Sequence, residues 1–368
     1  MLLSHLPLLA LGHFAAGLIL GHIFYRSDFC MAGMVRDFFL FGDNSRLRSL
    51  LLAVLLTTLF FLLARALWLL PFAVPPTFGL GSVAGIVGGL LFGIGMVLAG
   101  GCVVGTLYKL GSGNLTSLVA FAGIVGGSLI YAEIHLLVRE MEQLLPMTGE
   151  MGLLQSWPRA GGIGGWLLLI VFLPLLRHWQ RQGLLRLEAA AEGYLQPWRV
   201  AVILALLNLL LILATGWPMG ISTAYAKIGA YLAAPLAPAH LANLAYFTEP
   251  SLVVTRGETV LSGGAGPRVD LISFSELPLL LGIIIGSLLT ALRLREFRFY
   301  GLPPLRQGVA ALIGGILVAL GARIAGGCNF KYLLGGLPLF SYQAMLFTMG
   351  MVAGAWLGAR LLTRIILR

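Results

Sequence analysis

Nine apolar runs punctuate the chain, at 6–24, 50–72, 80–100, 115–138, 163–176, 198–216, 277–292, 307–325 and 341–363. Each approaches or exceeds the roughly 18–20 residues a helix needs to cross a bilayer. The runs are apolar on every side rather than striped, so they predict helices packed among lipid and one another, not the amphipathic helices of a soluble bundle. Shorter segments interrupt the pattern. SDFCMAGMVRD (27–37) and GWPMGISTAYAKIG (216–229) follow the first and sixth runs, and AGGCVVG (99–105) and AGGCNFK (325–331) follow the third and eighth. All four have helical potential and are too short to span, which predicts four short re-entrant helices. The 368 residues are 59% hydrophobic and 10% charged, with a mean hydropathy of +0.95. A soluble domain carries about a quarter charged residues. The fold class is therefore an all-α polytopic membrane protein with about nine transmembrane helices plus four half-helices. No Lys or Arg precedes the first run, so it reads as a retained helix rather than a cleaved signal peptide.

The net charge of +10 is a matter of topology. Arg26, Arg36, Arg46 and Arg48 follow the first crossing, and Arg177, Arg181, Arg186 and Arg199 follow the fifth. Arg293, Arg295, Arg298 and Arg306 follow the seventh, and Arg360, Arg364 and Arg368 the ninth. Nine crossings place all four clusters on one side, which the positive-inside rule makes cytoplasmic. In a bacterial inner membrane the N-terminus is then periplasmic and the C-terminus cytoplasmic. The segments 139–161 and 217–276 face outward, with Glu140, Glu142, Glu150, Glu249, Glu258 and Asp270 among them.

Residues 88–102, GGLLFGIGMVLAGGC, align without a gap to 314–328, GGILVALGARIAGGC, with eight of fifteen identities that include Cys102 and Cys328. The segments after runs 1 and 6 correspond more faintly. Each half then reads helix, short segment, helix, helix, AGGC segment, helix. A first repeat over 1–140 and a second over 198–368 are joined by 141–197, which holds an outer loop, the fifth helix and a basic cytoplasmic loop. The odd joining helix inverts the second repeat, the plan of many secondary transporters. The first repeat's short segments dip in from the cytoplasm and the second repeat's from outside. Close helix contact is the ordinary use of paired glycines in membranes, and Gly88, Gly89, Gly314 and Gly315 fit it.

Cys30, Cys102 and Cys328 are the three cysteines, all in predicted dips and none in a long helix. No C-x-x-C occurs, so neither a redox pair nor a zinc knuckle is written locally. His13, His22 and His135 show no metal spacing, and nothing calls for a cofactor. Buried thiols are neutral, soft, weak donors, suited to passing a soft sulfur-bearing anion without holding it tightly. Arg323, inside an apolar run, is a functional candidate by its position. Lys109, Lys331, Arg36 and Lys227 are candidates for guiding anions at the mouths, set against a plain interfacial role. Gly101, Gly327 and Asn329 adjoin the thiols and complete the candidate pathway. Asp28 and Asp37 are expected to pair with Arg26 and Arg36. No embedded carboxylate stands out as a proton relay; Glu133 comes nearest, toward the outer end of the fourth helix.

RSDFCMAGMVRD, AGGCVVG, GWPMGIS and ARIAGGCN together resemble the YeeE/YedE family of sulfur-compound transporters, over nearly the whole chain. The resemblance is weakest at 139–161, 181–197 and 233–276. It implies a nine-helix inverted-repeat fold, hourglass-shaped, with four short helices pinching the centre and Cys30, Cys102 and Cys328 lining the waist. It implies thiosulfate uptake by a transporter rather than an enzyme, and a cytosolic TusA-like sulfur carrier as partner; some branches handle selenium instead. On this reading thiosulfate meets Cys328 first and then Cys102 and Cys30. A membrane thiol oxidoreductase is the rival class, and the chain offers it no adjacent cysteine pair.

Overall fold

A computed structural model of the chain describes residues 6–70, 74–156, 158–186, 193–256, 259–299 and 301–365. The first half holds α1 (Leu6–Ser27), α2 (Met31–Phe41), α3 (Ser45–Ala66), α4 (Val83–Leu98), α5 (Val103–Gly111) and α6 (Leu115–Leu144). Then come α7 (Leu153–Ser156) and α8 (Pro158–Arg181). The second half begins with α9 (Pro197–Thr215) and α10 (Ser222–Ala233). An outer loop carries α11 (Pro238–Asn243), α12 (Ala245–Thr248), an antiparallel hairpin of β1 (Leu252–Arg256) and β2 (Thr259–Gly263), and α13 (Leu271–Phe274). The chain closes with α14 (Glu276–Arg293), α15 (Leu305–Ile324), α16 (Asn329–Lys331), a π-helical turn at Tyr332–Gly336, and α17 (Tyr342–Ile365). Among the described residues eight stretches are long and apolar enough to cross a membrane. This is a multi-pass all-α membrane protein. The expected fifth helix, 162–179, lies within α8, which is not one of those eight and runs from one end of the bundle to the other.

The ends are fixed by contacts between loops. Tyr25 donates to Glu296 at 2.8 Å, the Leu195 amide to the Arg26 carbonyl at 2.9 Å, and Arg48 to the Leu184 carbonyl at 3.3 Å. The basic segments around 26–48, 184–195 and 293–298 thus share one end. At the opposite end Ser82 bridges to Pro146 and Gly152 to Ser341. Helix α17 starts there, so Arg360 and Arg364 return to the basic end.

Packing pairs the halves helix by helix. Helix α4 lies along α17 as α15 lies along α6, α1 lies along α14 as α3 lies along α9, and α4 meets α15. Exchanging the halves converts this pattern into itself, which is the packing a two-fold internal repeat would give. The apposition is close because small residues line it. A Cβ on Gly89 would stand 2.2 Å from the Phe347 carbonyl oxygen, and one on Gly314 2.4 Å from the Ala99 amide nitrogen. Gly88 faces Gly321 and Ala325, and Gly315 faces Ala120 and Gly123, with the same lack of room. Within lipid, where apolar burial against another helix gains little, such backbone-level contact is what drives association.

Each long helix that precedes a short one ends on a left-handed residue: Asp28 (φ 47°), Gly100 (φ 70°), Gly216 (φ 87°) and Gly326 (φ 80°). At Gly100 a side chain would meet nothing within 4 Å, so the backbone angle alone demands glycine there. Residue 28 is instead an aspartate, one of the few other types that tolerates this angle. Gly100 and Gly326 are equivalent in the repeat. Each follows a helix whose last amides close onto its own final turn, Gly100 on the Val97 carbonyl at 3.3 Å and Gly326 on Arg323 at 3.1 Å.

Candidate functional site

Two residues beyond the left-handed turn, three of the short helices begin on cysteine. Cys30 is the N-cap of α2, Cys102 of α5 and Cys328 of α16. The sulfur of Cys30 accepts the Gly33 amide and that of Cys102 the Gly105 amide, both at 3.4 Å. The sulfurs are acceptors in these contacts, so each S–H stays available to donate elsewhere. A helix start also carries positive partial charge, so the thiols stand where an anion is favoured. The fourth short helix, α10, starts differently: its cap is Ile221, without a side-chain bond.

The four starts converge. A Cβ on Gly105 would lie 3.1 Å from Cys30 Sγ and 3.6 Å from Cys102 Sγ, so the first two thiols meet over that glycine. Asn329 Nδ2 lies 3.8 Å from Met31 Sδ, joining the starts of α16 and α2, and its side chain also reaches the Cys102 thiol. Tyr225 of α10 donates to the Val103 carbonyl at 2.7 Å. Cys102 and Cys328 are near enough to interact electrostatically. All three thiols are free and closed off, at 4%, 2% and 0% exposure. Asn329 is fully buried, and among the described residues its Oδ1 has no hydrogen-bond partner. Among the described residues no group of three His, Cys, Asp or Glu could hold a metal ion. Phe24 packs on Phe29, Tyr108 and Phe330, with centroids 5.9, 6.1 and 6.4 Å away, and walls the centre with rings from three elements.

On the side of Cys328 away from the basic end, cations gather. Arg323, at the end of α15, donates to the Tyr246 hydroxyl at 2.8 Å. Burial holds the Tyr246 phenol above its usual pKa, with Arg323 pulling the other way, so the ring stays protonated and is a neutral partner for the guanidinium. Lys331 donates to the Thr77 carbonyl at 2.6 Å and to Gly326 at 2.9 Å, again neutral partners. Among the described residues neither cation has a carboxylate within 4 Å. Gly327 leaves room for Lys331, since a Cβ there would sit 2.8 Å from its Cδ. Gly101 is merely close to its own helix, with a Cβ 3.3 Å from Gly105 and Thr106 backbone.

At the basic end Lys109 donates to the Gly100 carbonyl at 2.8 Å. In both halves, then, a lysine holds the carbonyl of the left-handed AGGC glycine. Tyr108 donates to Asp28 at 3.0 Å, and Arg46 pairs with the other oxygen of Asp28 at 2.8 Å. The expected partner, Arg26, instead reaches over to the Gly193 carbonyl, because the left-handed turn at Asp28 carries the carboxylate toward α3. Arg36 and Asp37 pair as expected, at 2.7 Å.

Lys227 is not at a mouth. It is fully buried, and its ammonium donates to Gly264 and Gly266 carbonyls at 3.0 and 2.9 Å and to Asp270 at 2.8 Å. Three donors meet three acceptors, so nothing is left for an anion. The residue pins the outer loop to α10. Lys227→Met is expected to lower stability by about 3 kcal/mol, since it strands buried acceptors and half of an ion pair; a thermal melt of the detergent-solubilised protein reads this. Glu133, the nearest relay candidate, is exposed and pairs with His240 at 2.7 Å.

One carboxylate escaped the sequence reading. Glu276, the first residue of α14, turns its Oε2 to accept the Ala224 amide at 3.0 Å. Sequence position alone does not single it out; the packing of α14 on α10 reveals its place.

The family model for sulphur transport matches residues 26–357. The chain belongs to the sulphur transport family. The YeeE/YedE resemblance carried by the cysteine motifs is thereby borne out. The chain is 28% identical over 354 residues to the thiosulfate transporter TsuA of Escherichia coli (strain K12), covering 92% of this chain and 91% of that protein. It is 26% identical over 374 residues to the thiosulfate transporter TsuA of Spirochaeta thermophila, covering 95% of this chain and 97% of that one. A transporter of sulfur-containing anions is the function class these relatives support.

Proposed function

We propose that the protein imports thiosulfate, or a closely related sulfur-containing anion, through a path of three thiols. The carrying observation is the convergence of three cysteine-capped helix starts at a closed centre, with two cations on one side that, among the described residues, have no carboxylate within 4 Å. On this reading the second repeat is inverted relative to the first, the halves being 1–140 and 198–368. The basic end faces the cytoplasm of a bacterial inner membrane, and both termini lie as the charge distribution predicts. The anion enters between Arg323 and Lys331, accepts an S–H hydrogen bond from Cys328, and then uses Cys102 and Cys30, with Asn329 beside them. Each contact is weak, which lets the anion leave as readily as it arrives.

Carrying a dianion inward against a potential negative inside costs about 2.3 kcal/mol per charge per 100 mV, so about 4.6 in all. Removal of the sulfur by a small TusA-like carrier at the basic end supplies the pull. The test is uptake of sulfur-labelled thiosulfate by cells that lack other importers. Cells expressing the chain are expected to accumulate label well above vector controls. Entry of selenite or sulfite without thiosulfate would reassign the cargo, and a change of thiol redox state without any uptake would make the protein an oxidoreductase.

A further inference from the structure

Three short helices start on a thiol and the fourth starts under a carboxylate from another helix. Glu276 reaches from α14 to the Ala224 amide at 3.0 Å, at the start of α10. It can do so because residue 220 is glycine: a Cβ there would lie 2.8 Å from Glu276 Oε1. Around it stand Arg323 from α15, Lys331 from α16, Lys227 from α10, the Tyr246 phenol from α12 and the Cys328 thiol, all near enough to interact electrostatically. Yet among the described residues the carboxylate lies within 4 Å of none of these cations. Lys227 is committed to Asp270, which leaves Arg323 and Lys331 as the two positive charges that an anion could bridge.

Glu276 therefore has the chemistry of the cargo, an oxyanion, in the neighbourhood the cargo must enter, and it is tethered. We propose that Glu276 is the gating and selectivity residue of the outer mouth: its carboxylate, seated on α10, holds the entry to Cys328 closed, and an incoming anion passes by taking over Arg323 and Lys331 and releasing that side chain. This rests on the outer-mouth assignment made above. Two properties follow. An anion too weakly charged to compete with a carboxylate for both cations does not open the mouth, which sets a preference for divalent sulfur oxyanions. The seat also depends on reach, because the Glu side chain crosses from α14 to accept the Ala224 amide of α10 at 3.0 Å, and one methylene fewer is expected to weaken or lose that contact.

The experiment reads the accessibility of Cys328 in the full-length protein in outward-accessible proteoliposomes, through its rate of modification by a small anionic methanethiosulfonate, followed by peptide mass spectrometry. Glu276→Gln removes the charge, and Glu276→Asp keeps the charge while shortening the reach. Both are expected to speed modification of Cys328 by roughly tenfold, a shift of about 1.4 kcal/mol in the closed–open balance. Unchanged rates in both variants would overturn the proposal, and so would acceleration by Gln alone, which would make charge rather than seating the cause. If one variant fails to fold, the other still decides, because each must accelerate labelling. Thiosulfate added to the unmodified protein is expected to protect Cys328. Absence of that protection would count against the cargo and leave the labelling comparison standing.

Discussion

Cys328→Ala will reduce thiosulfate uptake by roughly ten- to a hundredfold while leaving the protein folded and in the membrane. The magnitude follows from what alanine removes. At a buried centre a lost donor is poorly replaced, and a hydrogen bond to a charged group is worth about 1.5–3 kcal/mol, where about 1.4 kcal/mol is tenfold. Cys328 has no exposed surface, so the substitution leaves the mouths untouched. Serine at the same position restores a donor but not the soft sulfur, and it is expected to recover uptake only in part. Cys102→Ala and Cys30→Ala should each show a smaller loss, because their sulfurs meet over Gly105 and one can cover for the other. Initial rates of labelled uptake, normalised to membrane abundance, measure all four variants. Full uptake by all three alanine variants would end the thiol path.

The largest effect on the fold is expected at a position far from any sulfur. Gly93→Val will cost about 3 kcal/mol or more and strip most folded protein from the membrane fraction. A Cβ on Gly93 would stand 2.2 Å from the Met351 carbonyl oxygen and 2.7 Å from the Ala355 amide nitrogen. Those are backbone atoms of α17 and cannot swing aside as a flexible side chain could. Gly126 supplies the control. It is on α6, a Cβ there would meet nothing within 4 Å, and Gly126→Ala should be neutral or slightly stabilising through helix propensity. Fluorescence-detected size exclusion and thermal melts of the two variants give the contrast. Equal behaviour would mean that α4 and α17 are not held by backbone contact.

What could be read from residues alone was whatever recurs or spans. Long apolar runs announced the helices, the basic clusters announced a shared end, and AGGC at two equivalent positions announced matching breaks. The shared logic of the breaks was visible in part. D-F-C, G-G-C and G-G-C each place a residue that tolerates the left-handed angle two positions before a cysteine, at 28–30, 100–102 and 326–328. What stayed hidden depends on which helices touch. Asp28 could have met Arg26 by sequence distance, and it meets Arg46 because α3 returns beside it. Lys227 looked like any interfacial lysine until the outer loop folded three acceptors onto it. Glu276 is the sharpest case: a carboxylate at the edge of an apolar run reads as a solvated boundary, and only the approach of α10 across Gly220 makes it an occupant.

The exchanged packing of the halves has a mechanical consequence. Helices of the first half lie chiefly against helices of the second, α4 on α17, α6 on α15, α1 on α14 and α3 on α9. No cleavage plane separates one half from the other. Rocking the two as rigid bodies would pull apart the close glycine contacts of α1 with α14, α4 with α17 and α6 with α15. The long helices thus act as a welded frame. Motion is left to the parts the frame does not clamp, the short helices and the side chains at their starts. On the proposed thiol path, passage would then resemble a ball valve in a fixed pipe, its rate set by small local displacements at the waist rather than by the swing of a whole lobe.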